Sequence, residues 1–262
     1  MKRSFLPLLL SVLALIAQSA TAQILYNNSN IQTGTGNGFM GANTSSIAAG
    51  STTFGFSNNG TGATQIFLAD QFTLASTSMV TSISFVAYST SNYPFPPTSP
   101  FTSATLSIFS GAPGSGNVAL FTSNTLSMTA WTGIYRVQST TLTNAQRPVM
   151  SLTMSFANVT LAAGNYFAAW TVTGAVAPGN PGSIFAPSVH NADGTVPAGN
   201  ALQSLDGGAT YTPLMDAGLG IRVAMPLTVT GTAIPEPSSL GLMLLGGAGL
   251  AFGAIRSRRR QS

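Results

Sequence analysis

Short apolar runs with a period of two recur throughout residues 23–230 and constrain the fold more than any other feature of the chain. Successive side chains of a β-strand point to opposite faces, so each run predicts a strand with one buried face. The clearest runs place on one face Ile83, Phe85 and Ala87; Met150, Leu152, Met154 and Phe156; Tyr166, Ala168, Trp170 and Val172; and Ile221, Val223, Met225, Leu227 and Val229. Further strands are predicted near residues 66–74, 104–109, 118–122 and 133–139.

Turn-forming residues separate these runs. Turns are predicted at Asn58-Asn59-Gly60, at residues 114–117, at Asp193-Gly194 and at Asp206-Gly207-Gly208. Residues 89–101 are too rich in proline for a strand and are predicted to be a loop, and Pro226 within the last run indicates an edge strand. Many short strands with frequent turns predict an all-β domain over residues 23–230, an antiparallel β-sandwich of jelly-roll-like type.

Composition excludes several kinds of chemistry. Only 5% of the residues are charged, and the chain has no cysteine and one histidine, His190. Disulfide scaffolds, thiol catalysis and cysteine-based metal sites are therefore excluded, and a histidine-based site is hard to build. Six of the nine basic residues lie at the chain ends, which leaves the body with three arginines and four aspartates, or 3 − 4 = −1. Nucleic-acid binding is not expected, because it needs many phosphate contacts.

The first 22 residues have the pattern of a secretory signal peptide. Two basic residues, Lys2 and Arg3, precede a short apolar stretch. Ala20 and Ala22 fit the small-residue cleavage rule, so the mature chain is expected to begin at Gln23. The expected partners are the secretion translocon and signal peptidase. The alternative is an N-terminal membrane anchor, for which the apolar stretch is short.

Residues 231–262 form a tail with three parts. The first is the tripeptide Pro235, Glu236 and Pro237. The second is residues 238–255, which carry no charge and would reach roughly 27 Å as a helix, just enough to cross a bilayer core. The third is the basic cluster Arg256, Arg258, Arg259 and Arg260, which is predicted to stop transfer and stay in the cytoplasm.

This tail resembles the PEP-CTERM sorting signal of Gram-negative bacteria, with the three parts in the same order at the end of the chain. The resemblance implies transient anchoring in the inner membrane with the body in the periplasm, then cleavage near the motif by an exosortase-like membrane protease. It also implies a final place at the cell surface or in an extracellular matrix, linked to exopolysaccharide or biofilm. The body resembles the β-sandwich domains found ahead of such tails at residues 70–74, 161–167 and 206–211.

No residue of the body is predicted to be catalytic or to bind a cofactor or a metal. Gly36, Gly38 and Gly41 match a dinucleotide-binding fingerprint but lack the strand and helix it needs, so a flexible loop is predicted. His190 is interpreted as a loop residue rather than as part of a triad. Asp193 and Asp206 are the candidates for calcium, although such Asp-Gly pairs are typical of plain turns.

Two binding hypotheses remain open beside a non-enzymatic surface protein. Aromatic residues could stack on sugar rings in a carbohydrate-binding module, with or without calcium. The candidates are Tyr93, Phe95, Trp131, Tyr135, Trp170 and Tyr211, of which Trp170 is expected in the core and Trp131 at the surface. The pairs Thr171/Thr173 and Thr228/Thr230 resemble ice-binding faces but are not expected to recur in a flat array. A hydrolase would need a second acid or a serine–histidine pair.

Overall fold

A computed structural model describes residues 21–60, 65–91, 93–114, 116–174 and 184–234. These residues form sixteen strands and a short 3₁₀ helix at Phe39–Gly41. The strands are β1 (Gln23–Asn27), β2 (Asn43–Ser46), β3 (Phe56–Ser57), β4 (Phe67–Leu74), β5 (Ser78–Ser89), β6 (Phe101–Phe109), β7 (Phe121–Ser123), β8 (Leu126–Val137), β9 (Pro148–Leu161), β10 (Gly164–Gly174), β11 (Ile184–Ala186), β12 (Leu202–Ser204), β13 (Thr212–Pro213), β14 (Met215–Asp216), β15 (Ile221–Arg222) and β16 (Leu227–Ala233). The helices predicted for the two ends lie outside the described residues.

The long strands form two sheets. The first has the order β1-β16-β5-β9-β8-β2, with β11 and β3 joined beside β5, and the second has the order β13-β12-β4-β10-β6-β7. All the long pairings are antiparallel. The chain changes sheet between β4 and β5, between β5 and β6, and between β9 and β10. The central orders β1-β16-β5-β9 and β4-β10-β6-β7 are those of a jelly roll. The prediction of an all-β antiparallel sandwich is confirmed.

The core lies between the inner faces of the two sheets. Met150, Leu152 and Met154 on β9 are fully buried, as predicted, and so are the inward residues of β5 and β10. Trp170 of the second sheet stacks on Phe85 of the first, with ring centroids 5.2 Å apart. Burying a large apolar side chain contributes about 1.5–3 kcal/mol, so the alternating runs stabilise the sandwich.

Two residues of the predicted core are less buried than expected. Phe156 is half-buried near the end of β9, where its ring lies 4.7 Å from that of Phe121. Ile221 is half-buried in the small β14–β15 hairpin rather than in the sandwich. Phe156 packs against the core as the alternation predicts, whereas the prediction that Ile221 faces the core of the sandwich was wrong. The depth of cover at both positions depends on neighbours that are distant in sequence.

The last alternating run is two strands rather than one, and the prediction of an edge strand was wrong. β15 ends at Arg222 and β16 begins at Leu227, so Pro226 lies in the gap between them. β16 then runs in the interior of its sheet, between β1 and β5. The backbone N–H groups on either side of Pro226 are satisfied by side chains: that of Met225 donates to Asp70 and that of Leu227 to Asn28.

The predicted turns are present, with one exception. Asn58-Asn59-Gly60 is not a turn but lies alongside β10: Asn59 forms a parallel bridge with Val172, and the backbone N–H of Gly60 donates to the carbonyl of Val172 at 2.7 Å. Asn58 is fully buried, and its side-chain amide is satisfied there by Trp170: it donates to the backbone carbonyl at 3.1 Å and accepts from the indole N–H at 2.9 Å. β5 ends at Ser89 and β6 begins at Phe101, so the predicted loop lies between these two strands, with its first and last residues in the strands.

Candidate functional site

A cleft in the described part of the chain lies beside Asp70. It has a volume of about 510 Å³ and opens where the end of β1, the middle of β4 and the segment before β12 meet. Its polar lining consists of Tyr26, Asn28, Asp70 and Asn200. None of the other lining residues is acidic, so Asp70 provides the one carboxylate of this cleft.

Asp70 is buried, and both of its carboxylate oxygens are hydrogen-bonded. Oδ1 accepts the backbone N–H of Gln71 at 2.7 Å. Oδ2 accepts the backbone N–H of Met225 at 2.7 Å and the side-chain amide of Asn28 at 3.3 Å. Burial raises the pKa of Asp70 to about 6, against the lowering effect of these hydrogen bonds. Asp70 therefore ties β4 to segments of the other sheet.

This arrangement favours a structural role over catalysis. Hydrolysis of a glycosidic bond needs two carboxyl groups that flank the scissile bond, and the cleft offers one. The carboxylate of Asp70 already serves three protein donors. The sequence contained a signal for this site, because Asp70 is the single charged residue between Arg3 and Arg136. Its place in an apolar stretch of β4 is typical of a buried, paired charge.

A second buried polar site surrounds Arg136. Its Nε donates to the carbonyl of Phe54 at 2.7 Å, and its Nη2 donates to that of Thr53 at 3.3 Å. Nη1 donates to the carbonyl of Ser46 at 3.2 Å and to Oγ of Ser45 at 3.0 Å. Burial lowers the pKa of Arg136 to about 10. The guanidinium thus ties the loop before β3 to β2 and β8.

His190 belongs to this same site: it lies in the loop between β11 and β12, as interpreted from the sequence, and it is buried there. It is 1% exposed, with Nδ1 2.9 Å from the carbonyl of Ser188 and Nε2 3.5 Å from Nη1 of Arg136. The carbonyl requires a proton on Nδ1, so Nε2 faces the guanidinium as an acceptor. Burial and the nearby charge of Arg136 lower the pKa of His190 to about 4. A neutral, fully engaged imidazole of this kind is a structural element.

The aspartates predicted as calcium candidates lie in ordinary turns. Asp193 accepts hydrogen bonds from the backbone N–H and the hydroxyl of Thr195, at 2.9 and 2.6 Å. Asp206 accepts in the same way from Thr210, at 2.9 and 2.6 Å, which together with Ser204 lowers its pKa to about 2. The described residues contain no group of three or more His, Cys, Asp or Glu side chains placed to hold a metal ion.

Three of the six aromatic candidates lie together. Trp131 contacts Phe95 and Tyr135, with ring centroids 5.6 Å apart in both pairs. Phe39 completes the group at 6.1–6.2 Å from Phe95 and Tyr135. Trp131 is half-buried within β8, which corrects the expectation of an exposed position after a turn. The rings meet mostly edge to face, with the edge of one ring against the face of the next, so they form no flat platform for a sugar.

The other motif residues are spread over the molecule. Trp170 is in the core, as expected, and Tyr211 packs half-buried beside β12. Gly36, Gly38 and Gly41 lie in a loop that ends in the 3₁₀ helix. Thr171 is buried, whereas Thr228 and Thr230 lie half-buried on the outer face of the first sheet.

The structure leads directly from the body into the tail. β16 ends at Ala233, and the backbone N–H of Ile234 donates to the carbonyl of Thr77 at 2.8 Å. The described residues include no helix long and apolar enough to cross a membrane. Ala20, the sorting tripeptide, the predicted span and the four terminal arginines lie outside the described residues. Ala22 and Gln23 are described, and β1 begins at Gln23.

Comparison with protein families decides what the tail is. Residues 233–260 match the model of the PEP-CTERM protein-sorting motif. The chain carries a PEP-CTERM signal. This signal implies export, anchoring in a membrane before processing, and an exosortase as the kind of enzyme that processes it. Comparison with curated proteins and with solved structures found no match.

Proposed function

We propose that this protein is a non-enzymatic cell-surface or extracellular-matrix protein whose jelly-roll domain is displayed after an exosortase-like enzyme cleaves its PEP-CTERM tail. The observation that carries the proposal is the direct passage from β16, which ends at Ala233, into the signal at residues 233–260. A folded domain joined to its sorting signal without a further domain between them suits display. Exopolysaccharide or biofilm is the expected setting.

The position of the two domain ends supports this proposal. Gln23, the expected first residue of the mature chain, pairs with Gly231 near the end of β16. Both ends of the domain therefore leave it at the same place. A domain built in this way can be attached at either end while the rest of it projects away from the point of attachment, both after translocation and after sorting.

The arrangement of the buried polar groups supports a non-enzymatic role. The carboxylate of Asp70, the guanidinium of Arg136 and the imidazole of His190 are each bonded to protein groups at buried positions. General acid–base catalysis requires a group within hydrogen-bond reach of its substrate. These three groups instead complete the hydrogen bonds of loops and strand ends.

Replacing Pro235, Glu236 and Pro237 with alanine tests the proposal. The apolar span still inserts, but the processing enzyme loses its motif. We expect the full-length variant to accumulate in the inner membrane, whereas a control with Ser238 and Ser239 replaced by alanine reaches the surface. Fractionation followed by mass spectrometry measures both. Equal surface delivery of the variant and the wild type would refute the proposal.

A second candidate function is the binding of neutral carbohydrate by the displayed domain. It is favoured by the surface charge: of the seven charged residues of the body, Asp70, Arg136 and Asp216 are buried. The other four, Arg147, Arg222, Asp193 and Asp206, sum to 2 − 2 = 0. A surface of this size with four charges and many hydroxyls suits a neutral polyhydroxylated ligand. A glycan array with and without a chelator tests this function, and absence of binding to every glycan under both conditions would rule it out.

A further inference from the structure

The outer face of the first sheet carries an array of hydroxyl groups. Thr228 and Thr230 on β16, Ser82 and Ser84 on β5, and Ser151, Thr153 and Ser155 on β9 point away from the core. We call these seven residues the hydroxyl face. Their sequence neighbours Ile83, Phe85, Leu152, Met154 and Val229 are fully or almost fully buried on the opposite face of the same strands.

Strand register aligns these hydroxyl groups in rows. Thr230 pairs with Ser82, which pairs with Ser155, and Thr228 pairs with Ser84, which pairs with Thr153. Neighbouring strands lie about 4.8 Å apart, and every second residue of a strand lies about 6.7 Å further along. Thr228 and Thr230 are therefore part of a two-dimensional array of hydroxyl groups that extends across β16, β5 and β9.

The hydroxyl groups keep hydrogen-bonding capacity for a ligand. Oγ of Ser84 and Oγ1 of Thr153 lie 2.8 Å apart and share one hydrogen bond, and Oγ1 of Thr228 donates to Oδ1 of Asn27 at 3.2 Å. A hydroxyl group donates one hydrogen bond and accepts two, so each of these groups has at least one further acceptor site. The array can both donate to and accept from a partner that is itself rich in hydroxyls.

Part of this face forms a groove. A cavity of about 160 Å³ has Ser84, Ser151 and Thr228 in its floor. Residues that follow β1, Ser29 and Ile31, line it from one side of the sheet, and Thr132 and Ile134 of β8 line it from the other. Ile31, Val86 and Ile134 of the lining belong to an apolar cluster with Tyr88 and Val149. The groove thus combines hydroxyl groups with apolar side walls.

We propose that the hydroxyl face binds a neutral polysaccharide, with one sugar ring seated in the groove. None of the residues of the face or of the groove is charged, so an anionic polymer gains no ion pair there. Sugar hydroxyls match the array as donors and acceptors, and the C–H edges of the ring match the side chains of Ile31 and Ile134. This inference rests on the second candidate function and locates its site.

The Ser84–Thr153 pair offers a clean test with a matched control. Replacing Ser84 with Ala and Thr153 with Val removes both partners of one hydrogen bond, so no polar group is left unpaired and the fold is retained. Ser107 and Thr122 form a pair with the same 2.8 Å separation on β6 and β7 of the other sheet, on its outer face, at a more exposed position. The double variant Ser107→Ala/Thr122→Val changes the surface in the same way, away from the groove.

The experiment measures co-sedimentation of the purified full chain, in detergent, with cellulose, insoluble mannan and cross-linked dextran beads, and with alginate beads as the charged counterpart. We expect the wild type to bind at least one neutral polymer, Ser84→Ala/Thr153→Val to bind it about tenfold more weakly, and the control pair to bind like the wild type. Absence of binding to every neutral polymer, or equal weakening in both double variants, would overturn the proposal. So would binding to alginate alone, or shaping of ice crystals that the Ser84/Thr153 variant loses.

The outcome separates this inference from the proposed functions. Binding by the purified chain does not depend on sorting, so a chain that is sorted but binds no neutral polymer overturns the inference and leaves display intact. If a neutral polymer binds and neither double variant weakens it, carbohydrate binding stands and the hydroxyl face is the wrong site.

Discussion

The interior and the outer face of the first sheet use polar groups in opposite ways. Inside, three of the seven charged residues of the body are buried, and the side chains of Asp70 and Arg136 each form hydrogen bonds with segments that are distant in sequence. Outside, the hydroxyl face carries seven small uncharged groups. The buried charged side chains connect loops to strands, whereas the hydroxyl face of the exposed sheet carries no charge.

This difference indicates which polar side chains are needed for the stability of the fold. A buried charge that loses its partners, or buried partners that lose their charge, retain a desolvation cost without compensation. A hydroxyl group on a half-exposed sheet is replaced by water or by a ligand at little cost. Sensitivity to substitution should therefore be high inside and low on the hydroxyl face.

The largest effect is expected from Arg136. Replacing it with Met leaves the carbonyls of Ser46, Thr53 and Phe54 without their donor, and we expect a loss of about 3–5 kcal/mol in the free energy of unfolding. Arg136→Lys should recover only part of this loss, because an ammonium group cannot reproduce the planar fork. Chemical denaturation measures both. If Arg136→Met were as stable as the wild type, the claim that the fold depends on its buried charged groups would be wrong.

The next effect concerns the pH dependence of stability. Asp70 has a folded pKa of about 6, above its ordinary 3.8, so its contribution is complete below pH 3.8 and is lost as the pH rises through 6. His190 has a folded pKa of about 4, below its ordinary 6.5, so stability is lost as the pH falls from 6.5 to 4. Each contribution reaches about 3 kcal/mol, and between pH 4 and 6 the two oppose each other.

Single substitutions should separate these contributions. We expect a nearly flat wild-type profile from pH 6 to 4, measured by urea denaturation at each pH. Asp70→Asn should lose stability over this interval because only the histidine contribution remains, and His190→Gln should gain stability. Parallel profiles for all three proteins would show that neither group is buried as described.

The smallest effect is expected on the hydroxyl face. Ser84→Ala/Thr153→Val should change the free energy of unfolding by less than about 1 kcal/mol, because both partners of one hydrogen bond are removed together. Ser107→Ala/Thr122→Val should behave alike in thermal and chemical denaturation. A loss as large as that of Arg136→Met would mean that the face is structural rather than free to bind.

The sequence predicts the strands well because each long strand is half-buried and alternation reports a buried face directly. β5, β9 and β10 were found in this way. Pairing between strands has no such local signal: Ser84 and Thr153 are 69 residues apart, and Arg136 and Ser45 are 91 apart. The hydroxyl array and the arginine site both depend on these distant pairings, so neither could be predicted.

How deeply a residue is buried could not be predicted from the local sequence pattern either. His190 lies in a loop, as interpreted, but nothing in the sequence indicated that the guanidinium of Arg136 and the carbonyl of Ser188 would enclose it. Pro226 indicated an edge strand, yet side chains from β4 and from the segment after β1 satisfy the N–H groups around it, so the chain can enter the sheet interior. The tail was predictable because its three parts are contiguous in the sequence.

The most direct test of display after sorting is the C-terminal mass of the wild-type protein recovered from the cell surface. If the PEP-CTERM tail is processed, the surface form lacks Arg256, Arg258, Arg259 and Arg260 and ends near Pro235–Pro237, while the inner-membrane form retains all four arginines. A surface form that still carries Arg260 would contradict the account, because the tail would then be a permanent anchor.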